Sequence, residues 1–165
     1  MQRQPQDIEA IIHSFKAYGL GDINHNKERT ISAAILSICF IDQLAAFRYR
    51  INDVAERWEQ FIIDYMPIYA GLNIYKRLRN VLIHSYSGGR KFALTNDPNF
   101  KKPFEKDFFG IVTLNTNQFV ENLEKAFIEY EKDLRKSNSE ANYNALKRSE
   151  SHPVLIHRER PFPDF

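Results

Sequence analysis

Arg79-Asn80-Val81-Leu82-Ile83-His84-Ser85-Tyr86 sets an arginine, an amide and an imidazole on one strongly helical segment. It closes with a tyrosine just ahead of Ser87-Gly88-Gly89. A fixed cation beside a group that titrates near neutrality suits chemistry at a phosphodiester. The planar guanidinium of Arg79 can hold the phosphate and stabilise charge developing on its oxygens, while His84 moves a proton as general acid or base. Asn80 can orient the imidazole or donate to the phosphate. An RNA 2′-hydroxyl already lies beside its own phosphate, so neither a protein nucleophile nor a metal ion is needed. DNA lacks that hydroxyl and would be spared. The plainer reading of His84 is a cap at a helix C-terminus, where the macrodipole favours the imidazolium in either case.

The charge around this stretch has the same sign as the chemistry requires. Between Lys76 and Lys106 lie eight basic residues (Lys76, Arg77, Arg79, Arg90, Lys91, Lys101, Lys102, Lys106) against Asp97 and Glu105, a local +6 in a chain whose total is only +2. Lys76, Arg77, Arg90 and Lys91 flank the motif and are the candidate RNA-binding residues. A solvated, lysine-rich loop would carry the same residues.

Helices are expected nearly everywhere to hold this segment in place. Asp7 to Tyr18 carries Ile8, Ile11, Ile12 and Phe15 at helical spacing, and Gly19 and Gly21 read as its stop. From about Arg29 to Tyr49 the chain is apolar on most faces, which suits a central helix. Asp53 with Glu56 resembles a capping box, opening a helix that Pro67 breaks. The motif helix is expected over about Ile68 to Tyr86, ended by the glycines. Lys91–Thr95 and Phe109–Thr113 then read as two strands of a small hairpin, and Asn115 with Gln118 caps a long further helix. A short helix around Ser139 to Arg148 precedes a polar, proline-bearing tail. The fold class is all-α, an up-and-down bundle of about five helices with a β-hairpin insert after the fourth. Residues 1–136 form the helical domain (insert about 90–114), and 137–165 a polar extension.

On a wheel of about 100° per residue, Arg79 falls near the edge of the apolar stripe of its helix. Such an arginine must snorkel or find a carboxylate such as Asp42 or Asp64, and Asp42 is itself out of place in the apolar run Ile38 to Phe47. A buried Asp42–Arg79 pair would explain both residues without any catalysis. The chain of 165 residues with 43% hydrophobic content is long enough for a full core. Its single cysteine, Cys39, excludes a disulfide framework and points to a reducing compartment. The opening residues lack an apolar signal region, and no 18-residue uncharged stretch exists to span a bilayer, so a cytoplasmic, membrane-free protein is expected. His13, His25, His152 and His157 lack metal-ligand spacing, so neither a metal nor another cofactor is expected.

A helical bundle with R-N-x-x-x-H-x-Y near the end of a late helix resembles the HEPN superfamily (higher eukaryotes and prokaryotes nucleotide-binding). The resemblance covers roughly Ile31 to Arg135, and its specific part is Arg79, Asn80, His84 and Tyr86. It implies a metal-independent endoribonuclease of a toxin–antitoxin or other defence system. It further implies Arg79, Asn80 and His84 as catalytic residues, with Tyr86 as a site a partner nucleotidyltransferase or other antitoxin modifies. Members that have lost catalysis imply the alternative, a module binding RNA, a nucleotide or a partner protein. Arg79 and His84 lie roughly 140° apart on an α-helical wheel, awkward for one phosphate. A two-fold homodimer joined near the motif helix would bring a second copy of each to the same cleft.

Overall fold

The computed structural model describes residues 7–79, 82 and 90–155. Asn80, His84 and Tyr86 lie outside the described residues, as do His157 and the rest of the tail.

The described chain is mostly helical, with one small three-stranded sheet. Helix α1 (Ile8–Ser14) is capped by Asp7, whose carboxylate accepts from the Ala10 amide at 2.7 Å. It does not end at Gly19. The helix runs on through a π-helical stretch, Phe15–Leu20, into α2 (Gly21–His25). The glycine serves packing rather than termination, since a Cβ on Gly19 would land on the Phe40 ring. Only a residue without a side chain admits that approach.

Helix α3 (Thr30–Arg48) is central, with buried residues on every side, among them Ala33, Ile38, Ile41, Leu44 and Phe47. It packs against α1–α2, against α4 (Val54–Tyr65), and against α5 (Thr116–Arg135) and α6 (Glu140–Ser151). It is also the one described helix long and apolar enough to cross a bilayer, although half of that apolar window is buried inside the protein. Phe15 stands edge-on to Phe40, Phe47 and Phe127, locking α3 and α5 against the first helix.

Local signals set the other helix starts. Asp53 caps α4 through the Glu56 amide at 2.8 Å, Asn115 caps α5 through Gln118 at 3.1 Å, and Ser139 caps α6 through Asn142 at 3.0 Å. Pro67 ends α4 as expected and starts a 3₁₀ turn, Pro67–Tyr69. The motif helix begins later than its pattern suggests. Ile68 belongs to that turn, and Gly71 (φ 79°) and Asn73 (φ 54°) interrupt the chain before helix resumes at Ile74. From Tyr75 to Arg79 it is π-helical, so a wheel of about 100° per residue does not describe the turn that carries Arg79.

The expected hairpin is corrected to a mixed sheet of order β1-β3-β2. Strands β1 (Phe92–Thr95) and β3 (Val112–Asn115) run parallel, with Phe92 opposite Val112. Strand β2 (Phe104–Lys106) supplies the antiparallel partner of β3, with Phe104 opposite Leu114. Phe109-Gly110-Ile111, read as strand, is the β2–β3 turn. Gly110 takes φ 77° and the Asp107 carboxylate accepts from the Ile111 amide at 2.8 Å. The apolar run hid the turn because Phe108 and Phe109 point outward, 97% and 79% exposed.

Candidate functional site

Arg79 is held by Asp42. Nε and Nη2 of Arg79 donate to the same carboxylate oxygen, Oδ2, at 3.2 and 2.9 Å. The other oxygen, Oδ1, is buried and has no hydrogen-bond partner. The guanidinium also lies over the Tyr75 ring, 5.1 Å from its centroid, a cation–π contact one helical turn back. Burial works against the charge on Arg79, but the Asp42 carboxylate outweighs it and holds the guanidinium above its usual range. The pair that would explain both residues without catalysis is therefore formed. It does not enclose the arginine, because a quarter of the Arg79 side chain remains exposed.

The elements explain the placement. Asp42 sits on α3 one turn past Ile38, on a face where the helix is only partly covered. Leu78 and Ile74 are buried and anchor the π-helical segment to the core, which leaves Arg79 at the margin beside Asp42. Cys39, one turn before Asp42, is exposed, yet burial of part of its surface and then the Asp42 charge push its thiol up, against the pull of Arg79. At neutral pH it stays protonated and is a poor nucleophile.

The expected RNA-binding residues are all at the surface: Lys76 and Arg77 on the π-helical turn, Arg90 and Lys91 just before β1. Arg77, Arg90 and Lys91 form no ion pair among the described residues. Lys76 answers Glu59 of α4, whose carboxyl is pushed up by burial and drawn down by that lysine. Of the remaining excess, Lys102 is spent on Glu105 at 2.7 Å. Thus Arg79 and Asp42 come together as anticipated, while Asn80, His84 and Tyr86 fall outside the described residues. From sequence alone, Tyr75 had no part in the site. Its spacing of four from Arg79 was the available signal, since side chains that far apart on a helix touch. Glu59 gave none, because its neighbour Lys76 is distant in the chain. Among the described residues, no group of three or more His, Cys, Asp and Glu side chains is placed to hold a metal ion.

Comparison with known protein families, with curated proteins and with solved structures yields no match.

Proposed function

We propose that the protein is a metal-independent endoribonuclease of HEPN type, acting in a defence or toxin–antitoxin setting in the cytoplasm, with the helices in that family's up-and-down bundle. The observation that carries the reading is the setting of Arg79: a guanidinium fixed by Asp42 and Tyr75, still partly open to solvent, in a segment rich in uncompensated positive charge. A cation whose position is set in advance is what a phosphodiester transition state rewards. That the turn bearing it is π-helical also supports a site, because such turns concentrate where function constrains the backbone.

Arg79 neutralises the phosphoryl oxygens, His84 transfers the proton to or from the 2′-hydroxyl, and Asn80 orients the pair. Lys76, Arg77, Arg90 and Lys91 hold the RNA strand. The active form is a homodimer joined near the motif helix, each subunit lending its motif to a shared cleft, and Tyr86 is the handle for a modifying antitoxin. The exposed Ile63 and Ile68, on the chain leading into that helix, offer apolar contact for such an interface.

The test is RNA cleavage in the presence of a chelator. Wild type cuts RNA but not DNA, and His84→Ala and Arg79→Ala each lower the rate by about a hundredfold or more. Mixed dimers of the two variants regain activity if the site is shared. Sedimentation as a monomer with cleavage intact removes the dimer. A second reading, a silent module that binds RNA, a nucleotide or a partner protein, is favoured by one observation: Arg79 spends two of its donors on Asp42. RNA binding without cleavage by wild type selects it.

A further inference from the structure

Where α3 ends, the chain turns through Tyr49 and Asn52 into α4, and α6 passes alongside. A cleft of about 720 Å³ opens between them. Its charged lining residues are Arg50, Arg57, Lys147 and Arg148, with no aspartate or glutamate among them. Lys147 is already matched by Glu150 at 3.0 Å. The three arginines form no ion pair among the described residues. The Nε atoms of Arg57 and Arg148 are both buried and without any hydrogen-bond partner.

This arrangement opposes stability. A buried donor without an acceptor costs about 1–3 kcal/mol, more when charged, and here Arg148 also feels the like charge of Arg57. Burial, and after it the charge of Arg57, holds the Arg148 guanidinium below its usual range. The helix ends compensate only in part. The C-terminus of α3 and the N-terminus of α4 cancel, and the last turn of α6, which carries Lys147, Arg148 and Ser151, sets about half a negative unit against the four cations of the lining. A multiply charged anion seated in the cleft would answer the charges of both guanidiniums together.

The shape narrows the class of anion. The cations converge from the α3–α4 turn, α4 and α6 on one open cleft, within the range of about 300–1,000 Å³ usual for small-ligand sites. A strand-binding surface would instead spread them along a track. The nearby rings are already engaged by guanidiniums: Arg48 lies over Tyr49 at 4.9 Å and Arg50 over Tyr143 at 6.0 Å. Tyr49, the one aromatic residue of the lining, is thus already engaged. We propose that this cleft is a site for a di- or triphosphate chain, gripped by Arg57 and Arg148 with Arg50 at its mouth, and indifferent to any base attached. The phosphate chain is free pyrophosphate or the tail of a nucleotide. The proposal is independent of RNA cleavage.

Calorimetric titration of the full chain at near-physiological salt separates the sources. Pyrophosphate and ATP bind within about threefold of each other and adenosine does not bind. Arg57→Gln and Arg148→Gln each weaken pyrophosphate binding by about tenfold or more, while Lys125→Gln, at an exposed cation of α5, leaves it unchanged. Without ligand, the two glutamine variants melt no lower than wild type, because each removes a like charge. Four results overturn the proposal: no pyrophosphate binding at millimolar concentration; affinity unaltered in both variants; either variant melting well below wild type, which makes the arginines structural; or tighter, arginine-dependent binding of a short 5′-hydroxyl RNA, which makes the cleft an RNA track.

Discussion

Arg79 and Arg148 are both partly buried arginines on segments packed against α3, and their surroundings differ in one respect. Arg79 meets a carboxylate on α3 and an aromatic ring one turn away. Arg148 feels the like charge of Arg57 and forms no ion pair among the described residues. Arg48, between them along α3, resembles the first: it donates to Tyr65 at 3.0 Å and to Glu140 at 3.2 Å. A carboxylate fixes an arginine in place and helps the fold stand without a ligand. Leaving it out keeps the full charge available at a cost in stability. The Arg79 region is thus self-sufficient, and the Arg57–Arg148 region is completed from outside.

The largest effect should come from breaking the self-sufficient side. Asp42→Ala removes the carboxylate that balances a guanidinium three-quarters covered by protein, and denaturant unfolding should show a loss of about 2 kcal/mol. No measurable loss would mean that Arg79 swings out to water and that the pair fixes nothing. A smaller effect of opposite sign comes from making the second region resemble the first. Ser151→Glu places a carboxylate on the wall of the arginine cleft, and the unliganded protein should gain about 0.5 kcal/mol while losing pyrophosphate affinity. The smallest effect is with pH. Burial raises the carboxyls of Glu131 and Asp133, but Lys16 and Arg135 for the first, and Lys136 and Tyr65 for the second, outweigh it and hold both below their ordinary 4.5 and 3.8. A carboxyl with a depressed pKa takes its proton more readily in the unfolded chain. Its stabilisation is complete above the ordinary value and lost as pH falls through the folded one. The melting temperature should therefore hold from neutrality to about pH 5 and fall below pH 4, whereas the arginine cleft keeps its charge throughout.

What could be read from sequence was what is decided within a turn of helix. Asp53, Asn115 and Ser139 each bind an amide three residues on, so their capping roles follow from residue type and spacing. The central place of α3 followed from its lack of a polar face. Asp42 and Arg79 were each anomalous in their own helix, and so could be matched before their geometry was seen. Gly19 was misread because helix stop and close crossing use the same residue, and only Phe40, on another helix, distinguishes them. The parallel pairing of β1 with β3 was illegible for a similar reason. A hairpin is the short-range solution, and β2 takes it with β3. The cleft that Arg57 and Arg148 both line joins a helix near the middle of the chain to one near its end, and nothing local in either marks it.

The π-helical turn from Tyr75 to Arg79 has a consequence in chain length. Such a turn holds about one residue more than the α-helical turn it replaces. Deleting Arg77, an exposed residue of that turn, would let the backbone relax to an ordinary helix while turning everything beyond it by about 100°. Leu82, now buried, would leave the core or drag Arg79 from Asp42. The meeting of this arginine with this aspartate is thus encoded in the count of residues as well as in their kinds, and a relative shorter by one here would need its carboxylate elsewhere on α3.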